Sequence, residues 1–315
     1  MENIDSLIEN ILLDYDCKIL EKIPKDCFVN PQYSKPLCCR FCGKSFPDVN
    51  FKNKAHVIPA FFGNKTILSE CECDTCNSYF SQFETQLANY MNLDHVTAGV
   101  QSRSGKVPKY KQAGQITIEN RPGYIFMSNL PEFKTLNLTE EGLILPCKKP
   151  SYIPEFIYRC LVKIAISILP ESSLVCYNKT ISWLMDVNLS SDIKPYMILS
   201  VNPIEVQLNM YALFERKSTC GKNVPFSIFY LAYNNFEFQI SIPYTKKDAN
   251  AEDLDLFPFI FQTSLNFIGI KQLNRTNSYV DLSSREKKTG EIVNVSVTGD
   301  YYVFKKKRAL TPKAQ

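Results

Sequence analysis

Two Cys-x-x-Cys pairs, Cys39/Cys42 and Cys73/Cys76, constrain this chain more than any other feature. Four thiolates in two close pairs can close a tetrahedral zinc site, each pair biting one side of the ion from a tight turn. Such a site has no open coordination position and is therefore structural. Cys38 and Cys71 lie beside the pairs and could each stand in for a neighbour as ligand. Between the pairs stands His56, one of two histidines in the chain, and Asn77 directly follows the last cysteine. His95, the other histidine, has no motif around it and reads as incidental.

At 315 residues the chain is too long for one small zinc module, so two domains are expected, the larger with a core of its own. No apolar run approaches a membrane span. The opening stretch MENIDSLIENILLDYD is acidic and amphipathic, where a secretory signal would be basic and then apolar. The expected location is the cytoplasm, with no membrane partner. In that reducing compartment the 12 cysteines read as zinc ligands and buried thiols rather than disulfides. A net charge of +4 is too small to identify a nucleic-acid binder, but basic residues cluster locally. QSRSGKVPKYKQAG carries Arg103, Lys106, Lys109 and Lys111 without an acidic residue, and residues 305–308 read KKKR. Both stretches could touch phosphates, or serve as a solvated linker and tail.

Apolar residues Ile4, Leu7, Ile8, Ile11 and Leu12 recur at helical spacing and predict an amphipathic helix over about 3–14. Within the cysteine segment, short strands are expected over 54–58 and 67–71 around PAFFGNKT, where Pro59 and Gly63 permit an irregular connection. A helix then carries Phe80, Phe83, Leu87 and Tyr90 at helical spacing, with Asp74 or Thr75 as its cap. From about Gln115 the texture becomes β-rich: QITIEN, YIFMSN, YMILSV, EVQLNMYALFE, FSIFYLAY, FEFQISIP, EIVNVSV and DYYVFK. FEFQISIP alternates apolar and polar residues as a half-buried strand does, and Asn234-Asn235 and Gly299-Asp300 sit where hairpin turns belong. PEFIYRCLVKIAISILP predicts a strong helix ended by Pro170, and NKTISWLMDV a second. The fold class is α+β, with helices against a mainly antiparallel sheet following the zinc-stapled β-hairpin and helix.

The stretches CRFCG, AHVIP and CDTCNSYFS resemble the HNH endonuclease family, in its zinc-stapled ββα-metal branch, over residues 38–93. The resemblance implies a nuclease in which His56 is the general base and activates water against a phosphodiester. Asn77 stands where the family has a metal-binding His or Asn, holding one catalytic divalent ion, Mg²⁺ or Mn²⁺. Cys39, Cys42, Cys73 and Cys76 hold the structural zinc. Two positions depart from the family pattern. Where an acidic residue or histidine commonly precedes the base as a metal ligand, this chain has Ala55. The middle Asn, which orients the base, has Asn64 as its nearest counterpart, while Glu70 lies closer to the expected distance from the cysteines. Ser81 and Glu84, one and two turns beyond Asn77, share its helix face and are candidates for the missing ligand.

The organisation expected from the resemblance and the composition has four parts. Residues 1–37 form an N-terminal helical segment, 38–98 the HNH ββα-metal nuclease domain, 99–121 a basic linker, and 122–315 an α+β regulatory, sensing or substrate-binding domain. The implied activity is divalent-metal-dependent hydrolysis of DNA phosphodiester bonds under control of the C-terminal domain, with antiviral defence as a role suggested by family analogy. RNA would satisfy the same residues, since they read phosphate geometry. Partners would include DNA and, through the C-terminal domain, a second copy or an activator. The alternative, supported by Ala55, is a catalytically degenerate zinc-stabilised nucleic-acid-binding or scaffold protein.

Overall fold

The computed structural model describes residues 12–23, 38–64, 66–102, 104–112, 116–129, 137–139, 142–202, 209–248, 254 and 276–297. In chain order the elements are β1 (Tyr15–Lys22), β2 (Ala55–His56), β3 (Leu68–Ser69), helix α1 (Asp74–Tyr90), the short helix α2 (Asn92–Thr97), β4 (Lys109–Lys111), β5 (Thr117–Arg121), β6 (Tyr124–Ser128), β7 (Asn137–Thr139) and β8 (Gly142–Lys148). Helices α3 (Pro154–Ile168) and α4 (Asn178–Met185) follow, then β9 (Tyr196–Val201), β10 (Met210–Arg216), β11 (Ser227–Tyr233), β12 (Phe236–Ser241), β13 (Thr276–Asp281) and β14 (Ile292–Val297). The fold is mixed α+β, and its strand pairs are antiparallel. Most of the expected helix over 3–14, the turn at Gly299-Asp300, the DYYVFK strand and the basic tail lie outside the described residues.

Six strands form the main sheet in the order β1-β10-β11-β12-β9-β13. Its centre follows from composition: SIFYLAY in β11 is apolar at nearly every position, so both faces must be covered. Phe229, Leu231 and Tyr233 point into the main core, while Ile228, Tyr230 and Ala232 join Tyr15, Met210 and Phe214 on the other side. The β11–β12 hairpin turns at Asn234, which takes φ 51°, a left-handed conformation that asparagine tolerates. FEFQISIP departs from the half-buried pattern expected of it, because Glu237, Gln239 and Ser241 are buried as well. The polar face is kept inside by partners: the Glu237 carboxylate accepts from Asn202 Nδ2 at 2.8 Å and from the Tyr230 hydroxyl at 2.8 Å.

Residues 109–111 and 117–121, expected as part of a basic linker, are folded as β4 and β5, which form a three-stranded sheet with β6. Alternation explains the difference: Lys109 and Lys111 face solvent while Tyr110 between them is buried with Ile116, Ile118, Leu93 and Val96. Lys109 and Arg121 both pair with Glu119, at 2.9 and 3.0 Å, so part of the positive charge is neutralised locally.

Helix α3 is buried on almost every side and packs against α1. Its charged residues Glu155, Arg159 and Lys163 fall one turn apart along one stripe, and each finds a buried partner. One apolar core runs from Cys39, Phe41 and Val57 through Phe80 and Phe83 of α1 and Leu161 of α3 to Phe229 and Phe238 of the main sheet. Among the described residues no helix is long and apolar enough to cross a membrane.

Candidate functional site

The zinc knuckle begins with a tight turn. Gly43 N–H donates to the Cys39 carbonyl at 2.8 Å, and Gly43 takes φ +68°, a left-handed conformation that suits a residue without Cβ. The second pair sits at the start of α1, with Cys73 as the N-cap residue and Cys76 in the first turn. Neither Asp74 nor Thr75 is the cap. Asp74 lies inside the helix, and its carboxylate instead accepts from Lys52 N–H at 3.2 Å and Asn53 N–H at 2.9 Å, fixing the approach to β2.

The Sγ atoms of Cys39, Cys42, Cys73 and Cys76 all lie within 4.8 Å of one another. Cys42 and Cys73 are 3.8 Å apart, and tetrahedral zinc with Zn–S of about 2.3 Å requires a sulfur separation of about 3.8 Å. The donor set therefore fits zinc. Hydrogen bonding between Cys76 and Cys39 lowers the Cys39 thiol and raises that of Cys76, so the two share a proton when no metal is bound. The neighbouring cysteines stand apart from the tetrad: Cys38 is exposed, and burial pushes Cys71 up to about 11. Among the described residues no second cluster of three or more His, Cys, Asp or Glu side chains converges.

The segment between the cysteine pairs is a hairpin, with Ala55 opposite Ser69 and His56 opposite Leu68. Its long connection is held by Asn64, which is 3 % exposed. The Asn64 amide donates to the carbonyls of Ile58 at 2.7 Å and Ile67 at 3.1 Å, and its oxygen accepts from Thr66 N–H at 3.1 Å and Ile67 N–H at 3.0 Å. Of the two residues considered for the middle position, Asn64 thus ties the connection to the strand end beyond His56, while Glu70 is exposed. His56 is half-buried in β2, and Ala55 beside it is 1 % exposed with no side-chain donor to offer. Asn77 is half-buried in the first turn of α1, its N–H bonded to the Cys73 carbonyl at 2.9 Å. Ser81 is exposed and donates to the Ser78 carbonyl at 2.6 Å.

Lys163 of α3 enters this module from the C-terminal half of the chain. Its ammonium lies 3.0 Å from Glu72 Oε2 and 3.7 Å from Glu84 Oε1, and it donates to the His56 carbonyl at 3.1 Å. Burial lowers its proton affinity, but the two carboxylates outweigh this and hold the ammonium above the ordinary lysine value. Burial likewise raises the carboxyls of Glu72 and Glu84, with Lys163 opposing. Glu84, a candidate ion ligand in the sequence, thus faces the lysine. Neither Glu72 nor Lys163 was singled out by the sequence reasoning. The available signal was the Glu155, Arg159, Lys163 stripe in an otherwise apolar helix, since charges on a helix buried all round must meet buried partners.

Cysteine knuckle, hairpin with His56 and helix with Asn77 together make the ββα arrangement that the family comparison addresses. Residues 39–91 match the HNH endonuclease family. The HNH segment carries with it the expectation of nuclease activity on a nucleic-acid substrate. No curated protein and no solved structure matches the chain. Outside the HNH segment, His95 proves to be a built part of the core. It is 4 % exposed, its Nε2 lies 2.7 Å from the Tyr233 hydroxyl, and burial pushes its pKa down to about 4.

Proposed function

We propose that the protein is a divalent-metal-dependent HNH endonuclease that hydrolyses phosphodiester bonds of DNA. The observation that carries this reading is the single histidine in the hairpin between two zinc-spaced cysteine pairs, over the same residues that match the HNH family. In this reading His56 takes the proton from an attacking water as the new P–O bond forms and the leaving P–O bond breaks; the leaving alkoxide takes its proton from solvent. Imidazole suits the base role because its ordinary pKa of about 6.5 leaves it largely neutral at cellular pH.

Asn77 is the residue that would hold the catalytic ion. Magnesium and manganese keep several waters and accept phosphate oxygens, so a donor set this sparse fits a site completed by substrate. Such an ion, when bound, neutralises charge on the scissile phosphate and the leaving oxygen. Glu84 faces Lys163 at 3.7 Å, which supports Asn77 over Glu84 as the ligand. Residues 122–315 govern when the nuclease acts, since an HNH module alone contacts backbone phosphates and would cut with little discrimination.

The test is incubation of the purified protein with supercoiled plasmid and with single-stranded DNA in Mg²⁺ or Mn²⁺, beside EDTA and His56→Ala controls. Nicking or linearisation that both controls abolish is the expected result. Buried Ala55 favours a second reading, a zinc-stabilised protein that binds nucleic acid without cutting it. Retained DNA binding with full zinc content and no cleavage in either metal favours that reading instead, once an absent activator is excluded.

A further inference from the structure

An ammonium has three N–H donors, and at Lys163 three acceptors surround it: the carboxylates of Glu72 and Glu84 and the backbone carbonyl of His56. Lys163 is 1 % exposed and the Glu72 side chain fully buried, so this is an interior ion cluster. A buried ion pair contributes little to stability over apolar residues of the same volume, because desolvation offsets the Coulomb attraction. What apolar residues cannot supply is a donor aimed at one carbonyl. That carbonyl belongs to β2, a strand of only two residues.

The helix that brings the lysine is itself locked to both halves of the molecule. On the C-terminal side, Arg159 donates to the carbonyls of Trp183, Asp186 and Leu189, and the Tyr158 hydroxyl to the Ser241 carbonyl at 2.8 Å. On the side of the cysteine cluster, Arg40, between Cys39 and Cys42, donates to the carbonyls of Ile166, Ser167 and Leu169 at the end of α3, at 2.7, 3.0 and 3.1 Å. The knuckle thus caps the helix, and the helix returns a lysine to the strand bearing His56. Any displacement of α3 against the zinc module would move that strand.

We propose that Lys163 is a positioning residue of the nuclease site, holding the His56 backbone in register from a helix of the C-terminal half. The assignment rests on the reading of His56 as the base. Two variants of the full chain test it: Lys163→Met, and Lys163→Met with Glu72→Met, in which the buried charge is removed together with its nearer, fully buried counter-ion while the more exposed Glu84 stays. The chain's two histidines give two imidazole signals in NMR spectra of histidine-labelled protein, assigned with His56→Ala. The double variant is expected to retain zinc and a cooperative fold, and to shift the His56 signals while those of His95 stay in place. Its single-turnover cleavage rate should fall by about 10 to 100-fold, the scale of a misplaced catalytic group, with DNA affinity unchanged. A zinc-loaded double variant with wild-type His56 signals, one in which both histidines shift alike, or one that does not fold, would each overturn the proposal and leave Lys163 purely structural. Wild-type protein that cleaves nothing would overturn the nuclease reading alone, because the His56 signals still decide whether Lys163 sets the strand.

Discussion

Burial of His95 makes folding depend on protons. Its pKa is pushed down to about 4 from 6.5 because the charged ring would lose its hydration among Phe61, Phe62 and Tyr233. Between those values the unfolded chain binds a proton that the folded chain does not, so stability falls as pH drops through the window and is retained above it. The full effect is about 3 kcal/mol. Buried carboxyls such as Asp94 and Asp248, whose values burial raises, act in the opposite sense. The informative quantity is therefore the difference between wild type and His95→Gln in urea unfolding at pH 7 and at pH 4.5. Most of the stability gap between them is expected to disappear at the lower pH, and parallel pH profiles would count against the assignment. At this scale the sequence shows what local spacing records. The four cysteines stand out because metal ligands recur at those intervals, and His56 through the family resemblance, whereas Lys163 and Glu72 meet only when distant segments pack.

Helix α1 starts inside the cysteine cluster, and the two depend on each other. Cys73 caps the helix without a side-chain hydrogen bond, and β2 and β3 are two residues each, so local hydrogen bonding alone cannot hold this unit. The cysteine cross-link supplies the missing constraint. Removing zinc with a strong chelator, or Cys76→Ser, is expected to melt the hairpin and the first turn of α1 together, lowering Tm by about 10 °C or more. Cleavage should vanish with the zinc and not return on adding Mg²⁺. Calorimetry with zinc quantitation checks this, and an unchanged Tm in a zinc-free sample would rule out the structural role. Many elements were legible: α3 carries helical periodicity, and β9 to β12 carry the apolar, β-rich texture that marks buried strands. Two were not. The Lys-Tyr-Lys alternation of β4 is too short to stand out from a basic linker, and FEFQISIP hides its second buried face because Glu237 finds its partners across the sheet.

Across the whole molecule, the boundary expected at residue 98 from the resemblance and the composition is crossed by one continuous apolar core. Phe83 of α1 packs edge to face on Phe156 of α3 with ring centroids 4.9 Å apart, and Phe62 packs on Tyr233 of the main sheet at 4.4 Å. Polar ties run the same way: Asn89 Nδ2 donates to the Ser151 carbonyl at 2.9 Å, and Tyr79 hydroxyl to the Leu184 carbonyl at 3.3 Å. A sequence reports composition along the chain but not which surfaces meet, so this shared core was not legible in advance. It has a direct consequence for residues 38–98 expressed alone. That fragment would expose Phe80, Phe83 and Leu87 along one face of α1 and would leave Glu72 and Glu84 without their lysine. Zinc closes the knuckle but covers none of that surface. The zinc-loaded fragment is expected to bind the metal yet show poor amide dispersion, aggregate at micromolar concentration and cut no DNA under conditions where the full chain does. A monomeric fragment with a sharp, dispersed spectrum and full cleavage activity would show instead that the module is autonomous and that α3 only rests on it.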